Sequence, residues 1–512
     1  MKPVKSFLEK YGIHTFLLPL FAVLHSYRQY YGLVDIGETV KILGELVLSF
    51  LVFFLVILAI TKNINKSLQL TTLFGCVFLF YGVVKDFFQI TLHLSFISKY
   101  SVLLPALAVV AVILTRVIVK KKDFTRINLF QNLLLLIFIL IDVMGIMASN
   151  NSLLLQRNLL TKNSHRKVDR ISTAGSKPNV YYIVLDCYPG THFLKQYMQY
   201  DNSLFNDALE EKGFRVLSNP RSNYNWTAFS ISATLNFEYL RTLKTFSPVG
   251  SMNYSQALLT TKESIVPKIF KENGYTMYNL SIFDIGGNPS VLKENFLTLP
   301  EREVLLYNTL LERLKRDLLW HFMKGKYEIS FLEKLEERKK DKYSTELAKK
   351  RDFNNFVIDS LMKIPLQETN SPQFVYAHVY LPHPPFFYNE NGSENELNAV
   401  LSEKSQKNKS LFLSYLKYTN NVALKIIDRI MQVSGGHSMI ILQSDHGFRD
   451  FEGGPTHPQT FFQNYSAFYF PDKNYSALYD TMSNINTFPV IFNKCLGTNI
   501  PLQADSSVFL IN

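Results

Sequence analysis

Apolar residues are crowded into the first part of the chain, before about residue 150 of 512. Five apolar runs occur there, and most reach the roughly 20 residues that a helix needs to cross the hydrocarbon core of a bilayer. The first and third are the weaker two, because histidine or charged residues lie in them or at their ends. This pattern predicts a transmembrane domain of about five helices over residues 1–148. The runs lie at about 12–27, 39–61, 67–84, 98–119 and 124–148.

Basic residues indicate which ends of these runs face the cytoplasm. Short loops rich in lysine and arginine stay on the cytoplasmic side, and alternate short loops of this chain are basic. An odd number of crossings then leaves the rest of the chain outside. We therefore expect a multi-pass protein of the plasma (inner) membrane with an uncleaved signal anchor and an extracytoplasmic C-terminal domain. The net charge of +12 is accordingly explained by these membrane-facing basic loops and does not indicate binding to nucleic acid. The loop residues are Lys2, Lys5, Lys10, Lys62, Lys66, Lys120, Lys121 and Lys122.

The remainder of the chain reads as a linker followed by one folded domain. Residues 149–177 are polar and lack a sustained apolar period, as expected for a linker over the membrane surface. Over residues 178–512, short apolar runs alternate with helical stretches, and three runs are typical of parallel strands buried on both faces. The predicted fold class is a transmembrane helical bundle followed by an α/β domain, with a mostly parallel sheet between helices. The three runs are VYYIVLD (180–186), FVYAHVYL (374–381) and SMIILQSD (438–445).

Two further patterns bear on the fold. The segment from about 301 to 365 carries heavy charge at helical spacing, and we expect it to be a solvated helical face. The three cysteines, Cys76, Cys187 and Cys495, form no closely spaced framework. The sequence neither requires nor excludes a disulfide between Cys187 and Cys495.

Each of the three predicted strands ends in residues that can do chemistry. Asp186 ends the first strand, and Asp445 and His446 end the third. The second strand contains His378 and runs into a proline-rich loop with His383. Ligands collect beyond the carboxyl ends of parallel strands, because the loops there converge. One such residue alone would be an ordinary helix cap or turn residue, but the group indicates a site. Carboxylate and imidazole ligands suit a divalent metal ion, zinc or manganese above all.

A hydroxyl nucleophile completes this hypothesis. Two aspartates and one histidine leave a coordination position for a hydroxyl whose proton the cation makes easier to remove. Thr227 is the candidate, since it lies just before a helical run and free N–H groups at a helix N-terminus favour an anionic substrate. Ser230 and Ser232 fall further inside the helix and are weaker candidates. The alternative is that Thr227 only caps the helix.

The order of these motifs resembles the alkaline phosphatase/sulfatase superfamily. It is similar in particular to the membrane-anchored branch with lipoteichoic acid synthases and lipid A phosphoethanolamine transferases. The motifs, spread over residues 178–512, are VLD ending at Asp186, LPHPPF around His383 and SDHG containing Asp445 and His446. The resemblance implies that Asp186, Thr227, Asp445 and His446 bind the metal ion. It further implies that Thr227 forms a covalent phosphoenzyme intermediate.

Residues that contact the substrate are also implied by the resemblance. His383, and with it His378, would contact the anion or protonate the leaving group. His457 would be a further metal ligand or substrate contact, and Arg449 would bind a phosphate through two hydrogen bonds. The alternatives are a loop role for His457 and an ordinary surface role for Arg449.

One departure from the superfamily bears on the reaction. Many sulfatases have two consecutive aspartates at the first metal strand, whereas Cys187 follows Asp186 here. Residues 187–191 also lack the arginine of the sulfatase formylglycine motif, which favours phosphoryl chemistry over sulfate-ester hydrolysis. We expect a transferase that moves a phosphorylated headgroup from a membrane phospholipid to an envelope glycan or lipid acceptor. The alternatives are a phosphodiesterase or sulfatase that uses water, and a catalytically inactive scaffold for envelope assembly.

Overall fold

The computed structural model describes most of the chain, and its described residues form two compact units. One unit draws on residues 1–157 and 295–333, and the other on residues 158–294 and 334–512. The predicted linker, 149–177, lies mostly outside the described residues. The described residues are 7–31, 34–150, 159–163, 177–292, 300–319, 330–367, 369–396, 400, 407–448, 454 and 457–511.

The regular elements of these residues follow in chain order. The helices are α1 His14–Gln29, α2 Ile36–Thr61, α3 Ile64–Asp86, α4 Tyr100–Lys120, α5 Thr125–Asn150, α6 Thr191–Met198, α7 Ser203–Glu211, α8 Thr227–Thr234, α9 Ser251–Lys262, α10 Ile265–Glu272, α11 Glu301–Leu305, α12 Leu310–Leu314, α13 Ser330–Lys363, α14 Lys409–Ser434 and α15 Thr487–Cys495. The strands are β1 Val180–Leu185, β2 Arg215–Val216, β3 Ser247–Pro248, β4 Thr276–Leu280, β5 Gln373–Val379, β6 Met439–Ser444, β7 Ser466–Tyr469 and β8 Leu510–Ile511.

Four helices of the first unit are long and apolar enough to cross a membrane. Many of their large apolar side chains face outward, as lipid contact requires; on α2, for example, Leu48, Val52 and Val56 are exposed. The first predicted run forms α1, whose 16 residues extend only about 24 Å against a hydrocarbon core of about 30 Å. The count of five spans therefore stays a prediction. The four membrane-capable stretches among the described residues are Ile36–Thr61, Ile64–Gln89, Tyr100–Lys120 and Thr125–Met147.

A charged stretch near residue 300 joins the first unit. The side chains of Val304, Leu305 and Leu306 are buried in one apolar cluster with residues of α1 and α2, including Leu18 and Ile42. The expectation of a solvated helical face from 301 to 365 is therefore wrong for this part of the segment. The charge pattern was misleading because the apolar residues form a short consecutive run, which gives no helical periodicity.

Polar contacts fix the same stretch against α3. Gly82 donates its backbone N–H to the carbonyl oxygen of Asn308 over 2.8 Å. A Cβ on Gly82 would lie 2.8 Å from Asn308 Cα, so this close approach requires glycine. Arg313 is only 3% exposed and donates to both carboxylate oxygens of Asp86. Its charge is buried because a partner compensates it, which sequence periodicity cannot reveal.

The second unit is built on a six-stranded sheet in the order β2-β7-β6-β1-β5-β4. Strands β6, β1, β5 and β4 run parallel; at one edge β7 pairs antiparallel with β6, and β2 pairs antiparallel with β7. Helix α14 covers one face of the sheet, where Ala423 and Ile426 lie with Ile183 around a small apolar cavity. On the other face, Phe488 of α15 packs against Tyr182 with ring centroids 5.0 Å apart. The predicted fold class is confirmed, and the three predicted strands correspond to β1, β5 and β6.

Candidate active site

The strand register brings the predicted chemical residues to one edge of the sheet. Leu185 at the end of β1 pairs with Ser444 at the end of β6 and with Val379 at the end of β5. Asp186 and Asp445, each one residue further on, therefore emerge side by side. Both carboxylates are buried, and Asp186 is 1% exposed.

Each aspartate has one oxygen near a polar partner and one oxygen that accepts no hydrogen bond from the described residues, although His446 Nε2 lies 3.3 Å from that oxygen of Asp445. Asp186 Oδ2 lies 3.4 Å from His378 Nε2, and Asp445 Oδ1 accepts the backbone N–H of Cys187 over 3.1 Å. Among the described residues, Asp186 Oδ1 and Asp445 Oδ2 have no hydrogen-bond partner although they are buried. A buried carboxylate oxygen without a donor is costly unless a cation completes it. This pair of oxygens is the main sign of a cation site.

The neighbouring ligand atoms have the spacing of a metal site. A carboxylate oxygen of Asp186, one of Asp445 and a ring nitrogen of His446 all lie within 4.8 Å of one another. His446 Nε2 is 3.3 Å from Asp445 Oδ2 and 3.1 Å from Thr227 Oγ1. A tetrahedral zinc ion with bonds near 2.0 Å would separate its ligands by about 3.3 Å. The arrangement of these four residues therefore fits a divalent cation.

Charge in the pair is distributed unequally. Burial alone would raise the pKa of Asp186, but the charge of His383 and the hydrogen bond from His378 hold that pKa below its usual range. Burial and the negative charge of Asp186 together raise the pKa of Asp445 to about 7. Without a cation, the pair thus keeps one proton, on Asp445, up to near neutral pH.

This proton leads to an expected pH dependence of metal binding. Because a cation must displace the proton from Asp445, the affinity of the metal-free protein for zinc should rise as pH increases from 5 to about 7. The expected slope is up to about tenfold per pH unit from this group. Calorimetric titration in buffers of different ionisation enthalpy would measure both the affinity and the proton release. An affinity that is constant across this range would contradict the assignment.

Thr227 is the first residue of α8 and not its cap. The N-cap position belongs to Trp226, which has extended backbone angles, and no side chain caps the helix by a hydrogen bond. Thr227 is partly exposed, whereas Ser230 and Ser232 are fully buried. The interpretation of Thr227 as a plain cap is therefore wrong, and its hydroxyl instead faces His446.

A segment near residue 510 holds the chain just before Thr227. We call residues 506–510 the C-terminal strap. Val508 donates its N–H to the carbonyl oxygen of Asn223 over 2.8 Å. The side chain of Asn225 forms two hydrogen bonds with the backbone of Leu510, at 3.0 and 2.8 Å. The strap thereby fixes the segment that presents Thr227, a contact that the sequence did not indicate.

The loop that carries Asp445 and His446 is fixed by three further side chains. Asn464 and Asn484 both donate to the carbonyl oxygen of Ser444, over 2.7 and 2.9 Å. Ser230 donates to the carbonyl oxygen of Asp445 over 2.6 Å. Ser230 therefore positions the loop, which explains a conspicuous serine in α8 without making it a nucleophile.

The two predicted substrate histidines differ in their surroundings. His378 is fully buried, with Asp186 at one ring nitrogen and the Tyr376 hydroxyl 3.3 Å from the other. These contacts favour a role in orienting Asp186. His383 is partly exposed in the loop after β5, and its Nδ1 hydrogen-bonds the carbonyl oxygen of Pro384. His383 is thus the better placed of the two to meet a ligand.

The two remaining predicted residues have different outcomes. His457 is exposed and precedes the 3-10 helix Pro458–Phe462, where its Nδ1 accepts the N–H of Gln459 over 3.3 Å. The candidate metal groups formed by the described residues do not include His457. This placement favours the loop role. Arg449 lies outside the described residues.

Cys187 belongs to the site although sequence reasoning did not select it. Its Sγ lies 3.5 Å from His446 Nδ1, and the side chain is buried. The available signal was its position directly after Asp186, where sulfatases carry a second metal-binding aspartate. None of the three cysteines forms a disulfide, so the pairing of Cys187 with Cys495 is not formed.

No protein-family model and no curated protein matches this chain. The C-terminal periplasmic domain of EcEptC from Escherichia coli, in complex with Zn, is 11% identical with a TM-score of 0.38, covering 64% of this chain and 86% of that one. The integral membrane protein lipooligosaccharide phosphoethanolamine transferase A (EptA) from Neisseria meningitidis is 12% identical with a TM-score of 0.36. The match covers 94% of this chain and 95% of that one.

A third similar structure is a protein in the alkaline phosphatase superfamily from Vibrio parahaemolyticus. It is 14% identical with a TM-score of 0.36, covering 67% of this chain and 75% of that one. These proteins come from the groups that the sequence motifs resemble.

Proposed function

We propose that this chain is a membrane-anchored, metal-dependent transferase of phosphorylated headgroups that works through a covalent threonine intermediate. One observation carries the proposal. The Thr227 hydroxyl, at the start of a helix, lies 3.1 Å from His446 Nε2 and beside two buried carboxylates that each have an oxygen without a hydrogen bond from the described residues. A hydroxyl, an imidazole and two carboxylates are thereby gathered at one edge of the sheet, which supports a nucleophile beside a cation.

The cation would be held by Asp186, Asp445 and His446, with the Thr227 hydroxyl as a further ligand. Carboxylate and imidazole ligands suit zinc or manganese. When bound, such a cation makes a coordinated hydroxyl easier to deprotonate and offsets the negative charge on phosphoryl oxygens.

The chain's own residues then account for a two-step displacement. In the first step, Thr227 Oγ1 forms a bond to phosphorus and gives up its proton, the bond from phosphorus to the diacylglycerol oxygen breaks, and the released proton ends on that oxygen. In the second, an acceptor hydroxyl oxygen forms a bond to phosphorus, the bond from Thr227 Oγ1 to phosphorus breaks, and the proton of the acceptor hydroxyl ends on Thr227 Oγ1. The free N–H groups at the start of α8 favour the anionic phosphoryl group throughout.

A lipid donor follows from the membrane unit. Four helices among the described residues can cross a bilayer by length and composition. With a fifth crossing by the first apolar run, the basic loops favour an extracytoplasmic second unit at the plasma membrane. A phospholipid headgroup is available there without leaving the bilayer, and an envelope glycan or lipid could accept it. The bilayer and these two substrates are the proposed partners.

Transfer of label from lipid to protein tests the proposal. Full-length protein would be incubated with vesicles of phospholipid carrying radiophosphorus in the headgroup, quenched in acid and analysed for phosphoamino acids. We expect labelled phosphothreonine, because the first step leaves the headgroup on Thr227. Fast release of label into water without an acceptor would show a hydrolase instead. The absence of both label and bound metal would show the inactive scaffold.

A further inference from the structure

An apolar ridge lies beside the candidate active site. Phe246 is 58% exposed and Ile511 is 46% exposed. The ring of Phe509 lies 5.7 Å, between centroids, from the rings of Phe246 and Phe461. We call these four residues the apolar ridge. We propose that the ridge inserts into the extracytoplasmic leaflet of the bilayer that anchors the chain, and thereby holds Thr227 at the level of the lipid headgroups. The inference deepens the proposed function, on which it rests for the lipid donor and for the side of the membrane.

Strand pairing places the side chains of the ridge on one face. Phe246 directly precedes β3 and Phe509 directly precedes β8, and these two strands pair in parallel. The Phe246 N–H donates to the carbonyl oxygen of Phe509 over 2.6 Å, which extends the pairing by one residue. Neighbouring side chains of a strand point to opposite faces. Leu510 is buried, so Phe509 and Ile511 on either side of it point to the other face together.

The backbone of Phe246 is held in a costly conformation. Its φ of 65° lies in the left-handed region, which bulky residues rarely adopt. Such a conformation persists only where the surrounding contacts enforce it, and it is found mostly at functional sites. The ring is exposed at the same time, so burial within the unit does not offset this cost. An exposed apolar patch of several side chains marks a surface that meets a partner.

The ridge is connected to both sides of the candidate active site. Trp226, which directly precedes Thr227, donates its Nε1–H to the carbonyl oxygen of Leu510 over 3.1 Å. The carbonyl oxygen of Phe461 accepts the N–H of Gly447 over 3.0 Å, and Gly447 directly follows His446. The depth of the ridge in a bilayer would therefore fix the height of the nucleophile above the acyl chains.

The path of the chain keeps this surface within reach of the bilayer. Helix α5 ends at Asn150, and residues 151–159 separate it from Leu160, a distance of at most about 35 Å even for a fully extended chain. Leu160 is buried in the second unit, where its carbonyl oxygen accepts the N–H of Arg241 over 2.7 Å. Arg241 begins the short segment that leads to Phe246. The segment next to the ridge is therefore tethered near the membrane.

The charges around the ridge suit a phospholipid surface. Arg241 and Lys244 are exposed, and residues 241–246 contain no acidic residue. The Arg241 guanidinium lies 3.9 Å from Glu238, so it is only loosely paired. Asp505, which precedes the ridge in sequence, has both carboxylate oxygens occupied by hydrogen bonds from its own unit. Basic side chains next to aromatic ones are typical of surfaces that enter the headgroup region, where phosphates meet the cations and acyl chains meet the rings.

Photocrosslinking tests the position of the ridge. Full-length protein with p-benzoylphenylalanine in place of Phe246 would be irradiated in lipid nanodiscs, and the products would be analysed by mass spectrometry. The substitution exchanges one exposed aromatic side chain for another, so the fold should not change. We expect adducts whose added mass is that of an intact phospholipid, because the ring would lie at the boundary between headgroups and acyl chains.

Val433 provides a matched control. It is also an exposed apolar residue of the second unit, but it lies at the end of α14, just before β6 begins, and therefore at the end of the sheet opposite to Thr227. The same photoreactive residue at position 433 should give at least about tenfold less phospholipid adduct. Equal adducts at both positions, or no phospholipid adduct at position 246, would overturn the inference. A covalent dimer formed through position 246 would overturn it too, since a second copy of the chain would then cover the ridge.

The phosphothreonine experiment separates this inference from the proposed function. If phosphothreonine forms but position 246 gives no phospholipid adduct, the proposed function stands and the inference fails. If the adduct forms without phosphothreonine, the ridge docks on the bilayer and the proposed transferase mechanism fails.

Discussion

Replacing Thr227 with alanine should abolish the labelled phosphothreonine and reduce headgroup transfer by at least about a thousandfold. The reason is that the hydroxyl next to His446 Nε2 is the atom that receives the phosphoryl group in the first step. Removing a hydroxyl from a partly exposed side chain leaves no large cavity, so the variant should fold normally. Labelling with radioactive phospholipid and a coupled assay of diacylglycerol release would measure both effects.

Two further variants control this experiment. Thr227→Ser retains the hydroxyl and should keep part of the activity, with label now on serine. Ser232→Ala removes a neighbouring hydroxyl in α8 that is fully buried and has no hydrogen-bond partner among the described residues. It should label as the wild type does. If Thr227→Ala were labelled normally, or if Ser232→Ala alone lost the label, Thr227 could not be the nucleophile.

Asp445→Asn should reduce the affinity for zinc by more than about a hundredfold and abolish transfer. The substitution keeps the shape of the side chain but removes the charge of a buried carboxylate whose Oδ2 lies 3.3 Å from His446 Nε2, among the candidate ligand atoms. Metal analysis after dialysis, followed by the labelling assay, would measure the two losses.

The same substitution should have the opposite effect on the metal-free protein. Burial and the charge of Asp186 raise the pKa of Asp445 to about 7. The free energy of unfolding of the metal-free wild type therefore falls as pH rises from about 4 to about 7, because the folded state must give up this proton. At pH 8 the free energy of unfolding of the metal-free variant should therefore exceed that of the metal-free wild type by an amount on the order of 2 kcal/mol. The variant should accordingly unfold at a higher temperature. Added zinc should reverse this order by stabilising only the wild type. Equal stabilisation of both proteins by zinc would exclude Asp445 as a ligand.

The ends of the central strands could be predicted because their signals are local. A run of β-branched and aromatic residues followed by an aspartate gave β1 and Asp186, and a similar run gave β6 with Asp445 and His446. Parallel pairing then brings the carboxyl ends together whatever the loops do. Thr227 could be selected for a similar reason, since a helix start was visible in the sequence. The contact between its hydroxyl and His446 could not be predicted, because the two residues are 219 positions apart in the sequence.

The contacts that position these residues were not predictable, because they join distant parts of the chain. Asn225 and Leu510 are 285 residues apart, and neither carries a motif. The burial of Arg313 depends on Asp86, which lies 227 residues away. Cys187 was visible only as a departure from a pattern, since its contact with His446 joins residues 259 positions apart.

The hydrogen bonds between residues 506–510 and the segment before Thr227 have a consequence for biosynthesis. The ribosome makes Leu510 some 285 residues after Asn225. Until then a nascent chain would contain every reactive side chain, yet its threonine would be held loosely. Catalytic competence would thus arise only after residues 506–510 have been made and have folded back, and a polypeptide released before then would leave the surrounding phospholipids intact.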